Sequence, residues 1–245
     1  MPRFFVSKSQ IEDSTLFIEG DDARHIARSL RMAVGDEITV CAGEGNEYLC
    51  PLTRIRDDRC DCDIKQARVS SAEPKSKITL FMAYPKSDKL ETVIQKAVEL
   101  GASQIVPFES SRCIKRPKAD KAAERTARLA RIAEEAAKQC GRAILPKVSN
   151  PLSYSEMIKH AAESELAIFC YEGEGALSLK KILEAHASAP SSISVVVGSE
   201  GGFSEEEAAE AERAGMIIAN LGPRILRCET APSYCLSAIS YRFEL

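Results

Sequence analysis

The sequence predicts an α/β protein in which a mostly parallel sheet carries helices, preceded by a smaller β-rich domain. From residue 77 onward, short apolar runs alternate with stretches of helical periodicity, and this alternation is typical of parallel sheets covered by helices. Residues 1–72 instead contain short strand-like runs separated by turns. The polar stretch 71–77, which contains Pro74, indicates a linker. We therefore predict one domain over 1–72 and a second over 73–245.

The first domain is predicted to be a small barrel that one helix interrupts. Strand-like runs lie at 4–6 and 15–19, and two longer runs at 35–43 and 47–55 flank a Gly-Glu-Gly-Asn turn, which predicts a hairpin. The alternating run 60–69 is predicted to be the strand that closes the barrel. The helix is predicted at about 21–31.

The second domain is predicted to contain six strands and six helices in alternation. The helix at 88–100 is typical, because its apolar residues recur at helical spacing and Gly101 ends it. The predicted strands lie at 77–84, 103–108, 144–148, 166–172, 192–198 and 216–222. The predicted helices lie at 88–100, 119–140, 153–163, 177–187, 205–214 and 230–241.

Composition excludes several classes of protein. The 245 residues carry a formal net charge of −3, and the chain is long enough to bury a core without disulfide or metal staples. No apolar run approaches the roughly 20 residues that a membrane span requires. The first residues lack the apolar segment of a secretory signal, so the nine cysteines are expected to be reduced thiols in a cytoplasmic protein.

Two basic clusters favour a polyanionic partner in spite of the net negative charge. Residues 112–131 contain eight Lys and Arg against two acidic residues. Arg24, Arg28 and Arg31 are spaced so that a helix would place them on one face. The alternative for each cluster is a solvated helix face, but two clusters in an acidic chain shift the balance towards a polyanion.

A glycine-rich loop follows the apolar run 195–197. Gly198, Gly201 and Gly202 permit a close approach of the backbone to a ligand, and Ser204 with Glu207 has the spacing of a capping box. The spacing matches neither a Gly-x-Gly-x-x-Gly nor a Walker sequence, and the acid-rich helix start would repel an anion. The loop suits a neutral or cationic ligand, and the alternative is a tight strand-to-helix turn.

Two other predicted strands end in segments of similar character. Residues 222–227 form a Gly-Pro turn followed by two apolar residues between two arginines, which indicates packing inward or against a ligand. The alternative is an ordinary helix start capped by Thr230. Residues 170–172, Cys-Tyr-Glu, form the third end. Parallel sheets bind ligands beyond the carboxyl ends of their strands, so these three ends are the candidate site.

Hydrolase and zinc patterns are missing from the sequence. Cys60 and Cys62 are too close in sequence for the usual zinc pair, and no Cys-x-x-Cys occurs. The three histidines form no recognisable pattern with a cysteine, and no Gly-x-Ser-x-Gly is present. We predict no metal and no membrane partner.

The segments VGSEGGFS (197–204) and LGPRILRCETA (221–231) carry a resemblance to a known family. They are similar to the Ile-Gly-Pro-Glu-Gly-Gly-Phe/Leu-Ser and Leu-Gly-Pro-Arg-Ile/Val-Leu-Arg-Thr-Glu-Thr-Ala motifs of the bacterial 16S ribosomal RNA uridine N3-methyltransferases of the SPOUT superfamily. Segments 25–32, 94–108 and 138–142 also fit, so the resemblance covers nearly the whole chain. Ser199 stands where the family usually has proline, and Cys228 where it usually has threonine.

The resemblance implies a PUA-like β-barrel RNA-binding domain over 1–72 and a trefoil-knotted methyltransferase domain over 73–245. It implies S-adenosyl-L-methionine as cofactor, 16S rRNA within the small ribosomal subunit as substrate, and a homodimer. The implied cofactor-binding residues are Tyr171, Glu172, Gly198, Glu200, Gly201, Gly202, Leu221, Gly222, Ile225 and Leu226. The residues expected to contact RNA are Arg24, Arg28, Arg31, Arg112, Lys115, Arg116 and Arg142; the alternative for Arg142 is that it finishes a helix.

The chemistry of uridine N3 methylation assigns roles to the charged residues near these motifs. The N3–H group is a weakly acidic imide, and its anion spreads onto the flanking carbonyl oxygens, where a guanidinium would stabilise it. Arg227 is the first candidate for this role and Arg224 the second. Glu229 or Glu200 would accept the proton or orient an arginine, and the alternative for both is helix-end electrostatics.

Two other functions compete with this hypothesis. One is a SPOUT enzyme of different regiospecificity, such as a ribose 2′-O-methyltransferase, against which the LRCETA sequence speaks. The other is a non-catalytic RNA-binding or ribosome-assembly factor. The glycine loop and Arg227 favour an enzyme.

Overall fold

The computed structural model describes residues 1–86, 88–114 and 122–245, which form two compact units. Unit 1 contains Met1–Glu73 and Ala137–Leu145. Unit 2 contains Pro74–Ala136 and Pro146–Leu245.

Unit 1 is built on a curled mixed sheet of seven strands. Its strands are β1 (Arg3–Phe5), β2 (Ile11–Glu12), β3 (Thr15–Glu19), β4 (Glu37–Cys41), β5 (Asn46–Ile55), β6 (Arg59–Asp63) and β7 (Gln66–Val69). They are ordered β1-β4-β5-β6-β3-β2, and β7 pairs with β5. Only the β1–β4 pair among these is parallel. Alternate side chains such as Leu16, Ile18 and Leu52 are buried in one apolar core.

The hairpin of β4 and β5 confirms its prediction, whereas the single strand predicted at 60–69 is wrong. Two strands, β6 and β7, occupy this stretch. Between them, the amide of Ile64 donates to the carbonyl oxygen of Ser14 and that of Lys65 to the carbonyl oxygen of Leu49, so the chain passes from pairing with β3 to pairing with β5. β6 pairs with β3 and β5, and β7 pairs with β5 alone among the described strands.

A short helical segment lies between β3 and β4. A 3-10 turn occupies Lys8–Gln10 earlier in the chain, and α1 (Gly20–Arg24) continues into a π-helical turn at His25–Ser29. Ala23 and Ile26 anchor this segment in the core. Arg31 lies beyond the helix in the left-handed region, with a φ of 52°. The predicted helix over 21–31 is therefore right in place, but it ends early and leaves Arg31 outside, so the three arginines do not all lie on one helical face.

Unit 2 contains an eight-stranded sheet in which every pairing is parallel. The strands are β8 (Lys77–Ala83), β9 (Gln104–Glu109), β10 (Lys147–Val148), β11 (Leu152–Ser153), β12 (Leu166–Cys170), β13 (Leu177–Ser178), β14 (Ser192–Val197) and β15 (Ile217–Asn220). Their order is β10-β9-β8-β14-β12-β15-β13, and β11 pairs with β9. The prediction of an α/β protein with a parallel sheet is confirmed.

In the ranges that the structure describes, six helices accompany this sheet: α2 (Lys89–Glu99), α3 (Ala122–Cys140), α4 (Tyr154–Ala162), α5 (Leu179–Glu184), α6 (Glu205–Arg213) and α7 (Thr230–Phe243). Helix α2 buries the apolar residues that predicted it, and α6 begins with the predicted capping box of Ser204 and Glu207. The first three residues of the predicted helix 119–140 lie outside the described residues. The two-residue strands β11 and β13 had no prediction of their own.

The final helix divides its apolar residues between the interior and the surface. Leu236 and Ile239 of α7 are buried, whereas Tyr234 and Tyr241 are 46% and 76% exposed. These two tyrosines are seven residues apart and therefore share one helix face. No helix in the described ranges has the length and the apolar character that crossing a bilayer requires.

Candidate functional site

The three strand ends singled out in the sequence meet at one cavity of about 630 Å³ in unit 2. Strands β14, β12 and β15 are adjacent and parallel, so their carboxyl ends lie at one edge of the sheet. Predicted residues that line the cavity are Tyr171, Glu172, Gly198, Glu200, Gly201, Gly202, Leu221, Ile225, Leu226 and Arg227. Gly222, Arg224 and Glu229 belong to the same loops but do not line it.

The loop after β14 runs close to a neighbouring segment of backbone. Gly202 adopts a φ of 63°, and its amide donates to the carbonyl oxygen of Ser199 at 2.9 Å, which closes a tight turn. A Cβ atom on Gly201 would lie 2.9 Å from Arg112 Cβ and 3.0 Å from Arg112 O. Arg112 Nη1 also donates to Gly201 O at 3.3 Å. The loop therefore needs glycine at 201 for close approach and at 202 for its conformation.

Ser199 carries an unpaired hydroxyl in the wall of the cavity. The residue is 6% exposed, and its Oγ has no hydrogen-bond partner among the described residues. A buried hydroxyl without a partner destabilises a fold by about 1–3 kcal/mol. The proline that usually stands here in the resembled family has no such group.

Aromatic side chains of the core pack against the end of the glycine loop 198–202. The Phe203 ring lies 4.3 Å from the ring of Phe169 and 6.2 Å from that of Phe108, measured between centroids. Because Phe203 follows Gly202 directly, this packing holds the end of the glycine loop against the apolar core.

Lys89 joins the two carboxylates that the sequence singled out. Its Nζ lies 3.1 Å from Glu200 Oε1 and 3.1 Å from Glu229 Oε2. Burial raises the pKa of Glu200, but hydrogen bonds from backbone amides and from Lys89 outweigh it, so this pKa lies below its usual value. The pKa of Glu229 is lowered by its own backbone amide, the Cys228 thiol and Lys89. The two carboxylates in turn raise the pKa of Lys89.

The thiol of Cys228 forms a hydrogen bond with one of these two carboxylates. Its Sγ donates to Glu229 Oε2 at 3.2 Å. Burial, reinforced by Glu229, raises the pKa of Cys228 to about 12, so the thiol keeps its proton at neutral pH. Cys228 stands where threonine is usual in the methyltransferase family that the sequence resembles. Like a threonine hydroxyl, its thiol has a hydrogen to donate to Glu229.

The two candidate arginines differ in position although both are exposed. Arg227 lines the cavity, and its carbonyl oxygen accepts the amides of Thr230 at 2.8 Å and Ala231 at 3.0 Å. These bonds attach the loop to the first turn of α7. Arg224 lies before the exposed Ile225 and outside the cavity wall.

The arginines predicted to contact RNA fall into different environments. In unit 1, Arg24 and Arg28 are exposed and form surface ion pairs with Asp21 and Asp57, and Arg31 is exposed beyond the helix. In unit 2, Arg112 lines the cavity. Lys115 and Arg116 lie outside the described residues.

Arg142 does not present its guanidinium at a surface, contrary to the prediction. It is 3% exposed and donates to Glu73 Oε2 at 2.7 Å. The same carboxylate accepts the amides of Ala143 at 2.8 Å and Ile144 at 3.0 Å. The physical reason is that a buried carboxylate requires a cation and donors, and Arg142 supplies the cation.

Sequence reasoning missed Lys89 altogether. The residue begins α2, whose apolar spacing predicts the helix but says nothing about which loops its first turn contacts. The acidic partners lie more than a hundred positions further along the chain, and local patterns carry no signal for such a pairing.

Comparison with known proteins identifies the family. Residues 72–240 match the model of an RNA methyltransferase domain, and residues 18–65 match that of an RNA methyltransferase PUA domain. The chain belongs to this RNA methyltransferase family. Among its RNA methyltransferase relatives is ribosomal RNA small subunit methyltransferase E of Bacillus subtilis, which is 35% identical over 251 residues, covering 100% of this chain and 98% of the relative.

Solved structures of similar proteins agree with the fold. Ribosomal RNA small subunit methyltransferase E from Neisseria gonorrhoeae, bound to S-adenosylmethionine, superposes with a TM-score of 0.85 at 31% identity, covering 99% of this chain and 98% of that one. A methyltransferase from Legionella pneumophila in complex with S-adenosylmethionine gives a TM-score of 0.86 at 26% identity, with coverages of 98% and 96%.

Proposed function

We propose that this chain transfers a methyl group from S-adenosylmethionine to N3 of a uridine in small-subunit (16S) ribosomal RNA. The observation that carries the proposal is the cavity at the carboxyl ends of β12, β14 and β15, whose wall includes residues of both sequence motifs, among them Arg227. The rRNA substrate is supported by the Bacillus subtilis relative, and the uridine N3 position by the LRCETA sequence.

The residues of the cavity fit S-adenosylmethionine. Its volume of about 630 Å³ suits a ligand of this size. The glycine loop allows the backbone to approach a ligand. The wall carries two carboxylates, of Glu172 and Glu200, and two guanidinium groups, of Arg112 and Arg227, which suits a ligand that bears both a sulfonium and a carboxylate. When bound, S-adenosylmethionine supplies the electrophilic methyl group.

Arg227 is assigned to the uracil. Its exposed guanidinium can face the two carbonyl oxygens that share the charge of the deprotonated imide, while its backbone stays attached to α7. A planar fork of N–H donors matches two oxygens better than a point charge does. Arg227 thereby lowers the free energy of the anion from which nitrogen attacks.

Glu229 and Glu200 are assigned to orienting and proton-passing roles. Their pKa values lie below the usual value, so each is ionised at neutral pH and free to accept a proton. The Glu229 side chain is 33% exposed, so a proton that it accepts can leave to water. Neither carboxylate pairs with an arginine among the described residues; both pair with Lys89.

The remaining expectations complete the proposal. Residues 1–72 act as a PUA-like RNA-binding domain in which Arg24, Arg28 and Arg31 hold phosphates, and residues 73–245 act as a knotted methyltransferase domain. The protein is a homodimer in the cytoplasm. The exposed face of α7 with Tyr234 and Tyr241 supports self-association. Light scattering at micromolar concentration tests this, and a monomer mass would contradict it.

The deciding experiment uses small subunits from a strain that lacks the gene. Purified protein and S-adenosylmethionine are added, and the rRNA is digested and mapped by mass spectrometry. N3-methyluridine at one position is expected. A methyl group on ribose would support the 2′-O-methyltransferase alternative. Absence of methylation and of calorimetric cofactor binding would support the non-catalytic alternative.

A further inference from the structure

We infer that Lys89 is a positioning residue that ties the two cavity loops together through Glu200 and Glu229. This inference rests on the proposed function, because affinity for S-adenosylmethionine is the property through which it is measured.

The contacts of Lys89 join three separate segments of unit 2. Glu200 belongs to the loop between β14 and α6, Glu229 precedes α7, and Lys89 begins α2. The Lys89 ammonium lies 3.1 Å from a carboxylate oxygen of each. The backbone amide of Lys86 also donates to both oxygens of Glu200, at 3.1 Å each.

The two carboxylates need a cation between them. Since both lie at hydrogen-bond distance from one ammonium, they also lie close to each other and would repel if Lys89 were neutral. The side chains are 32%, 22% and 33% exposed for Lys89, Glu200 and Glu229, so water screens the attraction only in part. Charge-assisted hydrogen bonds of this kind are stronger than neutral ones.

Both tethered residues adjoin groups assigned to the reaction. Glu200 directly precedes Gly201 in the cavity wall, and Glu229 lies two residues after Arg227. If the tether is lost, repulsion separates the two loops, and both the cofactor wall and the loop that carries Arg227 move.

A positioning role and a direct charge effect predict different results. S-adenosylmethionine carries a positive sulfonium, whereas the product S-adenosylhomocysteine is a neutral thioether at that atom. If Lys89 acted only by electrostatic repulsion of the ligand through space, removing its charge would strengthen binding of the sulfonium relative to the thioether. Loss of loop position also weakens binding of the neutral thioether, which removal of the charge through space leaves unchanged.

The test is calorimetry of both ligands with the full-length protein and its Lys89→Met variant. We expect Lys89→Met to weaken binding of S-adenosylhomocysteine about tenfold, the effect of losing a hydrogen bond to a charged group, whereas any gain from removing a positive charge applies to S-adenosylmethionine alone. Lys89→Arg should restore most of the affinity. Lys96→Met is the matched control, because Lys96 forms an ion pair with Glu99 at 2.9 Å on the same helix and lies outside the cavity wall.

A double variant tests whether the effect of Lys89 depends on Glu229, which a general loss of folding in the Lys89→Met variant would not show. If Lys89 acts through Glu229, the combined Lys89→Met and Glu229→Gln changes cost less than the two single effects added together. An unchanged affinity for S-adenosylhomocysteine in a folded Lys89→Met variant, or strict additivity in the double variant, would each overturn the inference. Failure of the wild-type protein to bind either ligand would instead overturn the proposed function.

Discussion

The carbonyl oxygen of Arg227 accepts the backbone amide of Thr230 at 2.8 Å, which ties the candidate catalytic loop to the first residue of α7. Pro232, Cys235, Leu236 and Ile239 then bury the helix in unit 2. The backbone at Arg227 is therefore held by main-chain bonds and by helix packing, and its side chain can be changed without releasing the loop.

Because the backbone at Arg227 is held in this way, Arg227→Ala tests the role of the side chain in the methyl-transfer reaction. We expect turnover to fall about a hundred- to a thousandfold, as for loss of one donor to a developing oxyanion, and cofactor affinity to fall far less. Arg227→Lys should restore only part of the activity. Single-turnover methylation and calorimetry measure the two quantities.

The pH dependence of turnover and the Arg224→Ala variant are the controls for the role of Arg227. A reaction that requires imide deprotonation should accelerate as pH rises, and Arg227→Ala should shift this rise to higher pH. Arg224→Ala should retain most activity, because Arg224 lies outside the cavity wall. Wild-type turnover of Arg227→Ala with an unshifted profile would transfer the role to Arg224.

Gly201→Val is expected to abolish cofactor binding in a folded protein. The new Cβ would meet Arg112 Cβ at 2.9 Å and Arg112 O at 3.0 Å, so the loop must move away from its position in the cavity wall. Calorimetry and a thermal transition without ligand test this. Gly215→Ala is the control, because its φ of 90° makes substitution destabilising, yet it lies at the end of α6 away from the cavity wall. Unchanged binding by Gly201→Val would refute the assignment of the loop.

Arg142→Met is expected to destabilise the protein by about 3 kcal/mol, the lower end of the cost of breaking a buried pair, because Glu73 is partly exposed and keeps two backbone donors. The stranded group is Glu73, whose side chain is 14% exposed. Denaturant unfolding followed by circular dichroism measures the change. Arg24→Met serves as the matched control, since exposed pairs such as Arg24 with Asp21 contribute less than about 1 kcal/mol. Equal effects of the two changes would contradict the buried pair.

Ser199→Ala is expected to raise the free energy of unfolding by about 1 kcal/mol, because it removes a buried hydroxyl that has no partner among the described residues. Thermal unfolding measures the gain. Ser204→Ala should change stability by about the same amount in the opposite direction, because the Ser204 hydroxyl caps α6. A loss of stability in Ser199→Ala would show that the hydroxyl is satisfied.

Local patterns predicted most of unit 2. Helix α2, strand β14 and the capping box of α6 depend on residues within a few positions of one another, and each lies where periodicity placed it. The candidate site followed from one topological rule, because consecutive strand ends of a parallel sheet share an edge.

Contacts between distant segments escaped prediction. The pairing of Lys89 with Glu200 and that of Arg142 with Glu73 join residues that no periodic pattern relates. The π-helical turn at His25–Ser29 was also missed, because the arginine spacing suggested an ordinary helix, whereas the structure has a wider turn with Ile26 buried in the core.

The position of β14 between β8 and β12 also bears on how the chain folds. β8 pairs with β14 from Lys77 opposite Ser192 to Met82 opposite Val197, so the centre of the sheet joins strands with high sequence separation. Such contact order slows folding, because a long stretch of chain must be closed before the pairing contributes energy. During synthesis β8 emerges well before β14, and one of its edges stays unpaired for that interval. We expect slow refolding and a need for protection against aggregation while that edge is open.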